Sequence, residues 1–518
     1  MSDCEVTRNI WRNSLSNYIS VGLRMVLGLF MFRMLYQGLK PEEFGFWSLL
    51  WSVFGYGILL DFGFGFTAVK RVAELSVHEK WEQLSRVLST IFYLYVGLGL
   101  VIIASVLLGS HVLIRLFQIT PGNQEYFRQI LVYFFVGMGI TFPLGIFPEI
   151  LIGQQRLYLS NVIFSCGLVC NFIMVCVAMH YHWGLKRIVF IALASAIIPC
   201  IVAGFCGLKA LRHVHLHPRF FSVGMIRETL SFSVFAYIGT ISNIILGKTD
   251  QLVLSTTLAV SAVAIYQAGA KVGEMFGNFT QQLPDTFSSA AAHLHARGDR
   301  DKLQQLLVNG TRFSVMIATP AYFIGAFYME GILRLLTGRK DLGPETFWIG
   351  QVLLLWQYMT LITQSVTKRI FMMTGHEKRL MWLGVGEAAF NLALSVGLVL
   401  YFKNVVCVAI GSLVATTFFG WFYIWPWAAR EARMTGWLLA RTVLFPIWLA
   451  CIPLVGFICL CRFMPWLDFR TSTLLFLANC ALAGLVAFVS LWRGALTTEE
   501  RATFLLRIGK IFTRRNPA

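Results

Sequence analysis

The sequence predicts an all-α polytopic membrane protein: two pseudo-symmetric six-helix lobes around a central cavity, plus two extra C-terminal helices, about 14 spans in all. Three observations predict it. The 518 residues are 57% hydrophobic and 13% charged, with a mean hydropathy of +0.68; soluble domains carry roughly 25% charged residues. Apolar runs of about 20 residues, the length that crosses a bilayer, recur along the whole chain. An internal repeat is also visible. Phe46-Trp47-Ser48 precedes Trp81-Glu82-Gln83-Leu84 as Ile265-Tyr266-Gln267 precedes Arg300-Asp301-Lys302-Leu303, with a common offset of 219 residues. Gly153-Gln154-Gln155-Arg156 and Gly375-His376-Glu377-Lys378 likewise open spans with a central Asn, Asn171 and Asn391.

Spans are expected at 14–36, 44–69, 88–109, 127–152, 159–180 and 186–208, forming a first lobe over residues 1–228. A second lobe, 229–440, holds spans 229–257, 261–289, 311–329, 346–366, 380–402 and 405–428. An additional pair, 441–462 and 471–492, occupies 441–495, and a basic tail covers 496–518. The start of the chain is polar and acidic, a poor signal peptide, so the first span is expected to be retained.

Charge sets the orientation. The net charge is +18, and Lys and Arg concentrate in alternate loops. With the N-terminus inside, the inner loops hold Lys70, Arg71, Arg86, Arg297, Arg300, Lys368, Lys378, Arg379, Arg430 and Arg433; the outer loops hold fewer, such as Lys40, Arg115 and Lys340. Both termini are therefore expected in the cytoplasm. In a membrane chain this bias explains the basic composition without nucleic acid. All cysteines but Cys4 fall in apolar runs, with neither disulfide framework nor zinc-ligand spacing. No catalytic triad or nucleotide loop is present, so no enzyme activity, cofactor or metal is expected. Gly247-Lys248-Thr249 lacks the upstream glycine of a phosphate loop, since Ser242 stands there.

The stretch 261–289 is the most informative. Gln267, Lys271, Glu274, Asn278, Gln282 and Asp285 recur at alternating steps of four and three, so they share one helix face, opposite Ala, Val, Phe and Met. A membrane helix with a wet face turns it toward protein or a water-filled cavity. Arg24 lies mid-span in the first apolar run, either as an anion contact or as a partner for a carboxylate. Asp61, among glycines in the second span, can bind a coupling ion or pair with a base. Asn243, Lys248 and Asp250 punctuate the seventh span; Lys248 and Asp250, two apart, do not share a face. Lys271 and Glu274, three apart, can pair with each other. Glu149 and Glu387 are expected to add polar wall.

These residues carry a resemblance. The segment 44–74, with Phe44-Gly45-Phe46-Trp47-Ser48 and Asp61, the run Gly247-Lys248-Thr249-Asp250 and residues 262–276 are similar to spans two, seven and eight of the bacterial polysaccharide flippases. That family belongs to the multidrug/oligosaccharidyl-lipid/polysaccharide exporter superfamily. The resemblance implies a V-shaped alternating-access cavity and a lipid-linked oligosaccharide substrate of O-antigen type, in the bacterial inner membrane. It further implies H⁺ or Na⁺ coupling and contact with polysaccharide polymerase machinery. Expected substrate-binding residues are Arg24, Lys271, Lys248, Asn243, Gln267 and Asn278; expected ion-coupling residues are Asp61, Asp250 and Glu274. Two alternatives remain open: an ion-coupled drug or metabolite exporter of the same superfamily, and a membrane glycan polymerase or ligase.

Overall fold

The computed structural model describes residues 3–57, 64–117, 119–154, 156–211, 214–222, 247–284, 297–339, 342–463 and 473–502, together with Asp61, Gly224, Phe287, Ala291, Leu294 and His295. Every regular element among the described residues is helical. Nine helices among them are long and apolar enough to cross a membrane, or ten if Arg300–Phe327 and Met329–Thr337, bent by 77°, make one span. The protein is thus an all-α, multi-pass membrane protein.

The chain forms two compact units. The first comprises 1–267, 336–338 and 399–405; the second comprises 268–335, 339–398 and 406–518. In the first unit, helix Asp3–Gly38 lies along Leu157–His180 through small polar contacts: the Ser165 hydroxyl donates to Ser20 Oγ at 3.1 Å and Asn161 Nδ2 to Ser16 Oγ at 3.2 Å. A core of Phe64, Val72, Leu84, Leu88, Tyr95, Ile146 and Ile150 joins helices Phe64–Val77, Trp81–Leu116 and Ile146–Gly153. In the second unit, the last two spans seal onto helix Arg300–Phe327 and its C-cap Tyr328, through Leu454, Ile458, Phe476 and Ala483.

Several helices outrun the apolar windows that mark them. Trp81–Leu116 has 36 residues where 88–109 is expected, about 54 Å at 1.5 Å per residue against a hydrocarbon core of roughly 30 Å. Arg300–Phe327 starts eleven residues before the expected 311 because its first turns are amphipathic and capped. The Asp299 side chain accepts from Lys302 N at 3.3 Å and from Lys302 Nζ at 2.6 Å, and these bonds hold its carboxyl below the usual range.

Two expectations are corrected. The second apolar run, read as one span over 44–69, contains two helices, Pro41–Gly57 and Phe64–Val77, with Asp61 between them. Glu387, expected as polar wall, is 1% exposed and buried in a hydrogen-bonded network. The expected span 441–462 is present as Gly436–Cys461, its helix interrupted at Leu444 and Cys451 ahead of Pro446 and Pro453, because proline cannot donate the i→i−4 bond. Asn243 and Asp285 lie outside the described residues.

Candidate functional site

Helix Val260–Thr280 has the two faces its sequence spacing demands. Val263, Ala264, Ala268, Val272 and Phe276 are buried, whereas Glu274, Asn278 and the following Gln282 are exposed and Gln267 and Lys271 half-buried. Sequence reading missed why this helix sits so close to its neighbour. Gly269, Gly273 and Gly277 form a stripe at four-residue spacing; a Cβ on them would lie 2.7, 3.2 and 2.9 Å from Ile349, Leu353 and Gln357. Those three partners have the same spacing on Pro344–Thr360. Small residues in register allow two backbones to approach closely. The packing turns the polar face away from Pro344–Thr360. On that face Lys271 Nζ donates to Glu274 Oε2 at 2.8 Å, with side chains 22% and 54% exposed.

In the first unit, Arg24 is exposed. Its guanidinium reaches only its own helix, donating to Ser20 O at 3.4 Å and Ser20 Oγ at 3.5 Å, distances at the limit of a hydrogen bond. No carboxylate among the described residues pairs with it. Lys248 is also exposed and also lacks a carboxylate partner among the described residues. Its position is fixed from the backbone side: the Ser52 hydroxyl donates to Lys248 O at 2.9 Å, and a Cβ on Gly55 would lie 3.4 Å from the Lys248 methylenes. Asp250, two residues on, is buried and accepts from the Tyr266 hydroxyl. Lys248 and Asp250 therefore face opposite ways, as a spacing of two requires.

A second grouping in the first unit combines residues that the sequence left apart. Asp61 Oδ1 accepts from the Tyr95 hydroxyl and from Gly65 N at 3.2 Å. A Cβ on Gly65 would lie 3.6 Å from Asp61 Oδ2 and 3.7 Å from Glu149 Cδ. Asp61 and Glu149 thus converge on the bare side of Gly65, with both carboxyl groups half-buried. Two carboxyl groups facing one glycine make a polar niche on this side of the helix. Glycine four residues after Asp61 was the available signal; the contribution of Tyr95 and Glu149 from other helices was not.

The second unit buries a different carboxylate. Glu387 accepts from Lys368 Nζ at 3.0 Å, Gln364 Nε2 at 3.1 Å and the Thr416 hydroxyl at 2.9 Å; Thr416 Oγ1 in turn accepts from Trp356 Nε1 at 2.8 Å. Gln364 belongs to a wide π turn, Leu361–Ser365. A second π turn, Gly420–Ile424, packs on it so tightly that a Cβ on Gly420 would lie 2.3 Å from Thr363 Oγ1. Lys368 fell among the inner-loop cations on the sequence, so its pairing with Glu387 was not legible there. Among the described residues no cluster of His, Cys, Asp and Glu has the geometry of a metal site.

Comparison with known proteins places this arrangement. Residues 10–280, just over half of the chain, match the family model described as polysaccharide biosynthesis protein. The chain belongs to that family. Among solved structures, the lipid II flippase MurJ in an inward closed conformation superposes with a TM-score of 0.69 at 15% identity, over 92% of this chain and 97% of that one. An inward-facing multidrug resistance MATE transporter of the MOP superfamily gives 0.65 at 16% identity, over 81% and 96%. A MOP superfamily transporter from Pyrococcus furiosus, with a binding pocket of reversed polarity, gives 0.57 at 15%, over 82% and 95%. At these identities the likeness shows the fold, which is a MurJ/MATE fold. No curated protein sequence matches the chain. Family membership places the chain among the polysaccharide biosynthesis proteins, and its fold is the one seen in MurJ and the MATE proteins.

Proposed function

We propose that the protein is a flippase that moves undecaprenyl-pyrophosphate-linked oligosaccharide units across the bacterial inner membrane by alternating access, for surface polysaccharide synthesis. The sugar–pyrophosphate headgroup enters a polar cavity from the cytoplasmic leaflet while the polyprenyl tail stays in lipid, and the lobes rock to expose it outside. Both termini lie in the cytoplasm in this reading, and the released unit passes to polysaccharide polymerase machinery.

The observation that carries the reading is the distribution of partners among the charges. Asp61 is bonded to Tyr95, Asp250 to Tyr266, Glu274 to Lys271 and Glu387 to Lys368. None of these acids neutralises Arg24 or Lys248. Arg24 and Lys248, without a carboxylate partner among the described residues, suit a diphosphate, Arg24 offering a bidentate fork and Lys248 a point charge. Gln267 and Asn278, with Lys271, supply hydrogen bonds to sugar along the open face of helix Val260–Thr280. Asp61 with Glu149 takes up the coupling H⁺ or Na⁺, with Asp250 as a further acid on the path, while Glu274 is taken by Lys271. A gradient or the membrane potential, about 2.3 kcal/mol per charge per 100 mV, supplies the drive.

A purified-protein assay tests this. Proteoliposomes carrying a lipid-pyrophosphate disaccharide should lose headgroup accessibility on one face over time, faster under an imposed H⁺ or Na⁺ gradient. No flipping of any lipid-pyrophosphate sugar by active, folded protein defeats the reading. One observation favours a second reading: the Asp61–Glu149 pair also suits a cationic drug or metabolite. Drug resistance conferred without any change in surface polysaccharide would select the exporter.

A further inference from the structure

The second unit holds a cleft that none of the transport residues touches. It has a volume of about 370 Å³ and lies where the N-terminal end of helix Arg300–Phe327 meets the C-terminal ends of Val366–Met373 and Trp425–Glu431. That volume is within the range of pockets for small molecules, roughly 300–1,000 Å³. The Lys/Arg distribution assigns this end to the cytoplasm.

The walls have two characters. Leu307, Ile370 and Phe371 form a buried apolar floor. The rim is cationic: Arg300 and Arg430 are exposed, and neither pairs with a carboxylate among the described residues. Arg433 adds a third guanidinium, weakly engaged by Asp301 at 3.8 Å. His295 and His376 also line it, and His376 Nδ1 shares a hydrogen bond of 3.1 Å with the Thr374 hydroxyl. Beneath His376 an aromatic stack continues, with Phe371 and Trp427 at 4.2 Å and Arg379 held over the Trp427 ring at 4.0 Å. One acid, Glu431, also lines the cleft. Three guanidiniums against one lining carboxylate leave the rim net positive. Guanidinium forks match phosphate oxygens.

We infer that this cleft binds a small phosphate-bearing ligand, its phosphate on Arg300 and Arg430 and its apolar part on the Leu307–Ile370–Phe371 floor. Such a ligand ties three helix ends together at the cytoplasmic side of one unit. Two sources present that chemistry: an anionic lipid headgroup and a soluble phosphate. The inference does not depend on what the protein transports.

Hydrogen exchange on the full-length protein in nanodiscs tests it. One arm compares phosphatidylcholine alone with equal parts phosphatidylcholine and phosphatidylglycerol. The other adds inorganic phosphate to the phosphatidylcholine discs. Peptides covering 297–307, 370–376 and 428–433 should be protected in one arm, and the arm identifies the source. Arg300→Gln with Arg430→Gln should weaken the effect by about tenfold or more in ligand concentration. Glu431→Gln, which removes the opposing charge, should strengthen it, so loss of fold in the Arg variants leaves a second reading of the site. Protection in neither arm, protection undiminished in the double variant, or weakening by Glu431→Gln overturns the inference.

Discussion

Arg24 and Lys271 are both basic groups on polar helix faces, yet their surroundings predict different losses. Arg24 has only marginal bonds to Ser20 at 3.4 and 3.5 Å, so Arg24→Gln removes little from the free protein. A charge-assisted contact to phosphate contributes about 1.5–3 kcal/mol, which at 1.4 kcal/mol per decade is roughly a 10- to 150-fold loss of headgroup binding. Arg24→Lys keeps the charge and loses the fork, so it should recover part of the activity. Lys271 is already answered by Glu274 at 2.8 Å, in a pair 22% and 54% exposed. Such a pair contributes about 0–1 kcal/mol. Replacing both members, Lys271→Gln with Glu274→Gln, keeps the hydrogen-bonding face and strands no charge. Its effect on export should stay within a few-fold. Surface polysaccharide and protein level, measured together in cells whose only copy is the variant, give the comparison. If Arg24→Gln exports normally at normal expression while the double variant does not, the assignment of the headgroup to uncompensated cations is refuted.

Four further outcomes are expected. Lys368→Met leaves Glu387 buried without its counter-charge and should cost about 3–5 kcal/mol; adding Glu387→Gln should recover most of it in mixed-micelle unfolding, and no recovery would contradict the pairing. Gly273→Leu on the glycine stripe should prevent stable folding by forcing the two helices apart. By contrast, Gly397→Ala, at a helix position with nothing within 4 Å, should gain about 0.5–1 kcal/mol; equal effects at the two sites would argue against close packing along the stripe. Asp61→Asn or Glu149→Gln should leave flipping insensitive to H⁺ and Na⁺ gradients, and an unchanged gradient response in both would remove this pair from coupling. Reporter fusions after Arg86, Arg300 and Arg515 should all read cytoplasmic, a periplasmic signal at any one reversing the topology.

Much of the fold was legible because membrane burial writes itself into composition. The apolar runs at 159–180 and 186–208 correspond to helices Leu157–His180 and Leu185–Ala210 within two residues. The two-faced helix 260–280 was legible because Gln267, Lys271, Glu274 and Asn278 keep a helical period. What composition could not show was pairing across helices. Lys368 read as a loop cation and Glu387 as cavity wall, since the bond between them depends on how Val366–Met373 and Glu377–Phe402 fold back on each other. Asp61 read as mid-span because hydropathy windows average over the junction between two helices. The glycine stripe was present in the sequence, but only its partner at Ile349, Leu353 and Gln357 makes it a packing surface.

The π turn at Leu361–Ser365 gives this segment an angular offset that no helical wheel reproduces. One residue more than an α-helix would hold rotates everything after it by about 100° relative to a regular continuation. Gln364 sits in the wide turn and Lys368 just beyond it, and both reach Glu387. Deleting a single codon between Leu361 and Ser365 would restore a regular helix and swing the Lys368 ammonium away from its carboxylate, without altering one side chain's chemistry. The register of the backbone, as much as the identity of the residues, is what this charge pair encodes. Gapless threading onto an uninterrupted helix will therefore misassign the face on which Lys368 lies.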